Sequence, residues 1–168
     1  ERSIRYQRVA AGDSLLGLGD VGGLVLHPTP VFVDSAGASP HGLNNGSVVL
    51  KLSYNQTDIL FAGDIEKETD AALLAWGRRL QADVLKVAHH GSRTSSQAAF
   101  VEAVDAEWAV VSVGEYNKFG HPAAEVLARF AERQVKLLRT DQRGAVLLSS
   151  NGRDIEVETM VDLKGVGD

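Results

Sequence analysis

The chain has no cysteine. That excludes a disulfide framework and any thiolate metal site, but it leaves the compartment open, because extracellular domains can also lack Cys. No apolar run approaches the roughly 18 residues of a membrane-spanning helix. The pattern of basic start, apolar run and small-residue cleavage site that marks a signal peptide is missing. Positive charge is not in excess either: the formal net charge is -5, whereas a protein held on nucleic acid by a broad basic surface is positive. A polyanionic substrate would therefore have to meet local positive charge or a metal ion. There is no internal repeat and no low-complexity segment. The chain opens on Glu1 instead of Met, so the expectation is a piece of something longer.

What is present fits one globular domain. A chain of 168 residues has the size of one domain and can bury roughly two-thirds of the surface it exposes when unfolded. The domain is expected over 1–160, with 161–168 a fraying tail.

Alternation places a first strand in "IRYQRVAAGD" and a short strand in "GLVLHPTP", with the glycine-rich "LLGLGDVGG" turning between them. "VDSAGASPHGLNNG" is small and polar and reads as a loop. Two strands, 47–54 and 58–62, flank a tight Asn55-Gln56 turn. "IEKETDAALLAWGRRLQA" reads as a helix with Leu73, Leu74 and Leu80 on one stripe beside Trp76 or Gly77. Glu66, Glu68 and Asp70 crowd its first turn and Arg78-Arg79 its last, a charge order that suits the helix dipole. Strand and helix then alternate: "DVLKVA", "SQAAFVEAV", "EWAVVSVG", "PAAEVLARFAERQ", "VKLLRT". A "DQRG" turn and a hairpin around Asn151-Gly152 follow. Hairpins bracketing a strand–helix alternation argue for an α/β domain, a mixed sheet with helices on one face.

Three segments end a strand with reactive side chains: "LFAGD" at Asp64, "LKVAHHGS" at His89-His90, and "VVSVGEYNKFGHP" at His121. If the strands are parallel neighbours, these residues meet at the carboxyl edge, where open α/β sheets bind ligands. Each residue also has a plainer reading. Asp64 can cap the helix that follows, the tandem histidines can be one buried and one exposed, and His121 can belong to the start of a helix at Pro122. Ser92, Thr94, Ser95 and Ser96 can simply lead into the helix near Gln97. His27 and His41 lack a partner at ligand spacing and read as surface residues. The conjunction shifts the balance. Carboxylate and imidazole together suit zinc or manganese, and such an ion lowers the pKa of water enough to make a nucleophile at neutral pH. Hydroxyls and helix N-termini nearby would hold a phosphoryl group.

In order, "NNGSVVLKL", "ILFAGD", "ADVLKVAHHGSRTSS", "AVVSVGEYNKFGHP" and "LLRTDQRGAV" resemble the carboxyl-terminal part of the metallo-β-lactamase-like domain of the ComEC family, bacterial membrane channels for DNA uptake in competence. The resemblance implies an αββα sandwich with a two-metal site at one edge. It implies that Asp64 bridges the metals, that His90, or alternatively His89, is a ligand, and that His121 faces the substrate as general acid or phosphate partner. Ser92, Ser95 and Ser96 of the hydroxyl cluster, with Asn117 of "NxxGHP", are the expected substrate contacts. The implied cofactors are two divalent ions, zinc or manganese. The implied partners are DNA, single-stranded, and the rest of a membrane-embedded parent, with the domain on the extracytoplasmic side.

Two departures stand out. Where related folds carry a histidine ligand before the GD motif, this chain has Asn44, Asn45 and Ser47. The family's HxHxDH motif is missing from the whole chain. The expectation is a nuclease whose carboxyl-terminal portion, taken alone, binds metal weakly, lacks activity and self-associates through an uncovered apolar face. The competing expectations are a non-catalytic structural or DNA-binding lobe and a cell-wall phosphodiesterase such as a phosphorylcholine esterase. The last would need an aromatic cage, for which Trp76 and Trp108, both in regular elements, give little material.

Overall fold

A computed structural model describes residues 8–33 and 39–161. Of the expected first strand, 4–7 lie outside the described residues and 8–13 form a turn instead of a strand, with pairing starting only at Ser14; most of the expected tail also lies outside the described residues. The sheet opens at β1 (Ser14–Leu15), β2 (Gly22–His27), β3 (Val49–Tyr54) and β4 (Thr57–Phe61), an antiparallel meander. The β3–β4 turn works because Asn55 takes φ 52°, a left-handed conformation that Asn tolerates better than most residues. Helix α1 (Lys67–Leu73) leads to β5 (Val84–Lys86), α2 (Ala98–Val104) to β6 (Trp108–Val111), and α3 (Ala124–Glu132) to β7 (Lys136–Arg139). The strands β4 to β7 are parallel neighbours in sequence order. Successive right-handed crossovers in one direction put all three helices on the same face. The mixed sheet with helices on one face is therefore as expected. A single turn of helix, α4 (Thr140–Arg143), precedes a separate hairpin of β8 (Val146–Ser150) and β9 (Ile155–Thr159). That hairpin is tied to the β3–β4 turn, where Gln56 N–H donates to the Gly152 carbonyl at 2.8 Å.

The core lies between helices and sheet. Leu26, Leu60, Leu85 and Ala109 from the strands meet Leu73, Phe100, Val104, Val126 and Phe130 from the helices, all buried. Burying a large apolar side chain contributes roughly 1.5–3 kcal/mol, so this layer fixes the strand ends. The other face of the sheet also carries apolar residues. Alternation along β3 and β4 puts Leu50, Leu52, Ile59 and Phe61 there, and Phe61 is 40% exposed.

One expected stripe fails. The helix from Lys67 tightens into a 3-10 segment, Leu74–Leu80, that breaks at Gly77 with φ 53° and ψ -130°. The change of pitch rotates the following residues, so Leu73 and Leu80 are buried while Leu74 is exposed. Trp76 packs on the core and donates its indole N–H to the Leu26 carbonyl at 3.0 Å.

Candidate functional site

Three loops leave the carboxyl ends of β4, β5 and β6 side by side. They bring Asp64, His89, His90 and His121 together. Asp64 Oδ1 lies 3.8 Å from His90 Nε2. The His89 ring is 6.4 Å from that of His90 and 5.8 Å from that of His121, centroid to centroid. Helix α1 has Glu66 at its N-cap position, and α3 begins only at Ala124. Asp64 and His121 are thus not helix caps.

The backbone of "HHG" is unusual. His89, His90 and Gly91 all have positive φ, at 47°, 56° and 79°. Each non-glycine residue in that region costs roughly 1–2 kcal/mol, and such strain tends to persist at functional sites. Three backbone bonds hold the turn. His89 N–H donates to the Gly63 carbonyl at 3.0 Å, Ser92 N–H to His89 at 2.8 Å, and Ala123 N–H to Gly91 at 2.9 Å. The turn is therefore stitched both to the Asp64 loop and to the segment after His121. Only glycine fits at Gly91, where a Cβ would come within 2.6 Å of Pro122 Cβ.

The imidazoles are oriented differently. His90 Nδ1 is 2.7 Å from the Ser112 carbonyl. A carbonyl can only accept, so Nδ1 carries the proton and Nε2 presents its lone pair on the side of Asp64. A second-shell carbonyl of this kind commonly fixes a metal-binding histidine. His89 Nδ1 is buried without a hydrogen-bond partner, and the closest carboxylate oxygen, Glu66 Oε1, is 3.6 Å away. For His121, burial and then the charges of His89 and His90 lower the pKa. The donors of His90 and Asp64 fit one edge of a cation site in chemistry and direction. They fall short of the four ligands of a closed zinc site, and among the described residues no group of three or more His, Cys, Asp or Glu is placed to hold an ion.

The "NNGS" stretch serves as scaffold. Ser47 Oγ accepts the Asp64 N–H at 3.2 Å. Asn45 is buried; its Oδ1 accepts the Glu66 N–H at 3.0 Å and the Thr69 hydroxyl at 2.7 Å, while its Nδ2 donates to Glu68 at 3.1 Å. These side chains hold the Asp64 loop by hydrogen bonds where related folds are expected to have a ligand.

The hydroxyl cluster does not open onto the site as expected. Ser95 and Ser96 are fully buried. Ser95 Oγ lies 3.0 Å from the Ala88 carbonyl and 2.9 Å from that of Ser92. The N–H of Gln97, which caps α2, is taken by Asp70 Oδ2 at 2.8 Å. Of the N–H groups at the start of α2, that of Gln97 is thus taken by a buried carboxylate and not left for phosphate. Ser92 is buried as well and bonds Thr94 Oγ1 at 3.0 Å. Thr94 Oγ1 donates to Glu66 at 2.8 Å, which links the loop to the carboxylate beside His89. Asn117 spans its own loop: Oδ1 accepts the His121 N–H at 2.9 Å, and Nδ2 donates to the carbonyls of His121 at 2.8 Å and Gly114 at 3.0 Å.

Other residues go beyond their sequence reading or depart from it. Glu68 and Asp70 sit in the first turn of α1 and Glu66 at its N-cap, as expected; each also serves a different partner, Glu66 His89 and Thr94, Glu68 Asn45, and Asp70 the start of α2. Glu66 and Lys86 were not expected near the site. Lys86 feels the Asp64 charge, although burial is the larger influence and lowers its pKa. Its signal was the break in an otherwise apolar strand. His27 is fully buried instead of superficial, because its Nε2 bonds the Asn45 carbonyl at 2.8 Å and its ring meets the Phe32 ring. His41 is exposed, as expected.

A cleft of about 480 Å³ opens beside the histidines, lined by His90, Ser112, Val113, Asn117, Phe119 and His121 among others. No helix of the described residues is long and apolar enough to cross a membrane.

Residues 16–115 match the model of the metallo-beta-lactamase superfamily. The chain is 32% identical over 146 residues to ComE operon protein 3 of Bacillus subtilis, covering 87% of this chain and 18% of that protein. It is 38% identical over 104 residues to competence protein ComA of Neisseria gonorrhoeae, covering 61% of this chain and 15% of that protein. It is 28% identical over 118 residues to the uncharacterized protein YcaI of Escherichia coli, covering 70% and 16%. The chain thus spans under a fifth of the length of these relatives. The resemblance to the ComEC family read from "AGD", "HHGS" and "GHP" agrees with these matches, and the chain belongs to the metallo-beta-lactamase superfamily.

Proposed function

We propose that this chain is part of a metal-dependent phosphodiesterase that acts on DNA during uptake and degrades the strand that is not imported. The convergence of Asp64, His89, His90 and His121 at the carboxyl edge of the parallel strands carries the reading. The relative named competence protein ComA supports the biological setting. Asp64 and His90 hold the cation from this side, with His89 the alternative ligand. Zinc or manganese suits such a nitrogen and oxygen set. When bound, the cation supplies Lewis acidity and activates water. His121, at the mouth of the cleft, donates a hydrogen bond to a phosphoryl oxygen or passes a proton to the leaving oxygen. Ser95 and Ser96 act from beneath, by shaping the loop, while Asn117 fixes the segment that carries His121. The substrate is single-stranded DNA, and the domain works on the extracytoplasmic side as part of a membrane-embedded protein.

One observation favours a second reading, a lobe without catalysis: two facing donors do not close a metal site. The test is cleavage of single-stranded DNA by the native full-length polypeptide with manganese or zinc. Chelator-sensitive cleavage is expected, reduced to background by Asp64→Ala. Asp64 is half-exposed, so stability should change by no more than about 0.5 kcal/mol. Residues 1–168 alone should cleave little. Absence of cleavage by a metal-loaded full-length protein would establish the structural lobe instead.

A further inference from the structure

We propose that Phe119 is a stacking platform for a nucleobase of the bound strand, with Lys118 as its phosphate partner. The inference rests on the reading of this site as one that takes single-stranded DNA. The loop "GEYNKFGH" carries two aromatic rings into solvent, with Tyr116 91% and Phe119 71% exposed. Phe119 is not a stray surface residue. It lines the cleft together with His90 and His121, and its ring lies nearly parallel to that of His121, at 19° with centroids 5.9 Å apart. The rings of His89, His121 and Phe119 therefore form a row that starts at the proposed metal edge and runs outward.

The position is held in advance. Asn117 bonds both the N–H and the carbonyl of His121 and the carbonyl of Gly114, which closes the loop and presents Phe119 without help from the core. A loop whose backbone is already closed loses less freedom when a ligand stacks on the ring it carries. Lys118 Nζ is 5.5 Å from the Phe119 ring centroid. The ammonium lies over the ring, so a base that stacks there displaces it toward the adjoining phosphate; a cation and an exposed ring together match the two features of a single strand, an aromatic base and a phosphate. Local positive charge of this kind is what a chain of net charge -5 needs in order to approach a polyanion. A base on Phe119 is one stacked ring away from His121, so the adjoining phosphate falls within the reach of the histidines. Base stacking on an aromatic platform is tolerant of sequence, which suits a site that must accept any incoming DNA.

The experiment separates base from phosphate. Binding of oligothymidylate and of an abasic oligomer of equal length is measured by fluorescence anisotropy on the full-length polypeptide in chelator, so that it does not depend on catalysis. Wild type should bind oligothymidylate about tenfold more tightly than the abasic oligomer. Phe119→Ala should erase that preference, and Phe119→Trp should restore it. Lys118→Gln should weaken both oligomers alike. With manganese present, the loss in Phe119→Ala should fall on KM. Equal affinity of wild type for the two oligomers would overturn the proposal, as would a Phe119→Ala defect confined to kcat, which would make Phe119 a support for His121. A base preference in a protein that cleaves nothing would instead leave the platform standing and remove the phosphodiesterase reading.

Discussion

The segment from Ala88 to Gln97 has two halves that differ in exposure and in what their side chains meet. In the first half, His89 and His90 adopt left-handed backbone and turn their rings toward Asp64, His121 and the cleft. In the second, Ser95 and Ser96 lie wholly within the protein; the Ser95 hydroxyl meets backbone carbonyls, and the carbonyls of both accept from the half-buried Arg129. Both halves are polar and both follow the same strand. The difference teaches that polar residues after a strand divide between a reactive surface and its foundation. The histidine turn needs the buried half, although Ser96 there is left-handed too: such a turn persists only where its surroundings over-determine it. Ser95 is bonded to Ala88 on one side of the histidines and to Ser92 on the other, and so closes the turn from below.

The largest effect that would break this contrast concerns Asp70. It is buried, its Oδ2 accepts the Gln97 N–H, and its Oδ1 has no partner. Burial pushes its pKa up to about 7, against smaller opposing contributions from the Gln97 and Ser96 amides and from Arg129, with Glu68 adding to the rise. A raised carboxyl pKa means that the folded protein keeps a proton which the unfolded chain has already released. The associated stability is fully present below about pH 4 and is lost as pH rises through about 7, a change on the order of 4 kcal/mol. Asp70→Asn keeps an acceptor for Gln97 and cannot ionise. Urea unfolding from pH 5 to 8 should show wild-type stability falling relative to the variant. Parallel pH profiles would mean that Asp70 titrates normally and that the foundation does not depend on its neutral form.

Much of this arrangement was legible in the sequence, and most of the failures share one cause. Strand ends could be read because apolar alternation stops abruptly at Ala62, Ala88 and Val113, and parallel order then brings Asp64, His89, His90 and His121 to one edge. What a side chain does after a strand could not be read where its partner is a backbone carbonyl or a distant element. Ser95 hydroxyl bonds, the Asn45 hub and the burial of His27 are all of this kind. The three acids at the start of α1 were read as one group because helix dipoles depend on position alone. Their hydrogen-bond partners, Thr94, Asn45 and Gln97, lie up to 28 residues away in sequence. Gly77 illustrates a different failure: a glycine compatible with a helix also permits the positive φ that ends one.

A middle-sized effect sharpens the contrast at Ser95. Ser95→Ala removes the donor that serves both Ala88 and Ser92 and should cost about 1–3 kcal/mol, as for a buried group left unsatisfied. Any fall in cleavage should track this lost stability and recover when the protein is stabilised by cooling or osmolyte. If activity disappears while the unfolding midpoint is unchanged, Ser95 touches substrate and the division into surface and foundation is drawn in the wrong place.

The smallest effect is expected at Ser96, and it is the most discriminating because two readings predict opposite outcomes. Ser96 Oγ is buried without a hydrogen-bond partner, and its residue has φ 51°. A hydroxyl in that state gains nothing from the fold and has lost its water, so removing it should be neutral or slightly stabilising. Ala suffers the same left-handed strain as Ser, so the backbone contribution cancels between them. Ser96→Ala should therefore shift stability by no more than about 0.5 kcal/mol and leave DNA cleavage unchanged. Arg129 would still hold the Ser96 carbonyl, which it reaches at 3.0 Å and which the substitution does not alter. If the variant instead folds normally and loses cleavage, the orphaned hydroxyl is reserved for a bound state in which the loop opens, and Ser96 belongs with the histidines after all.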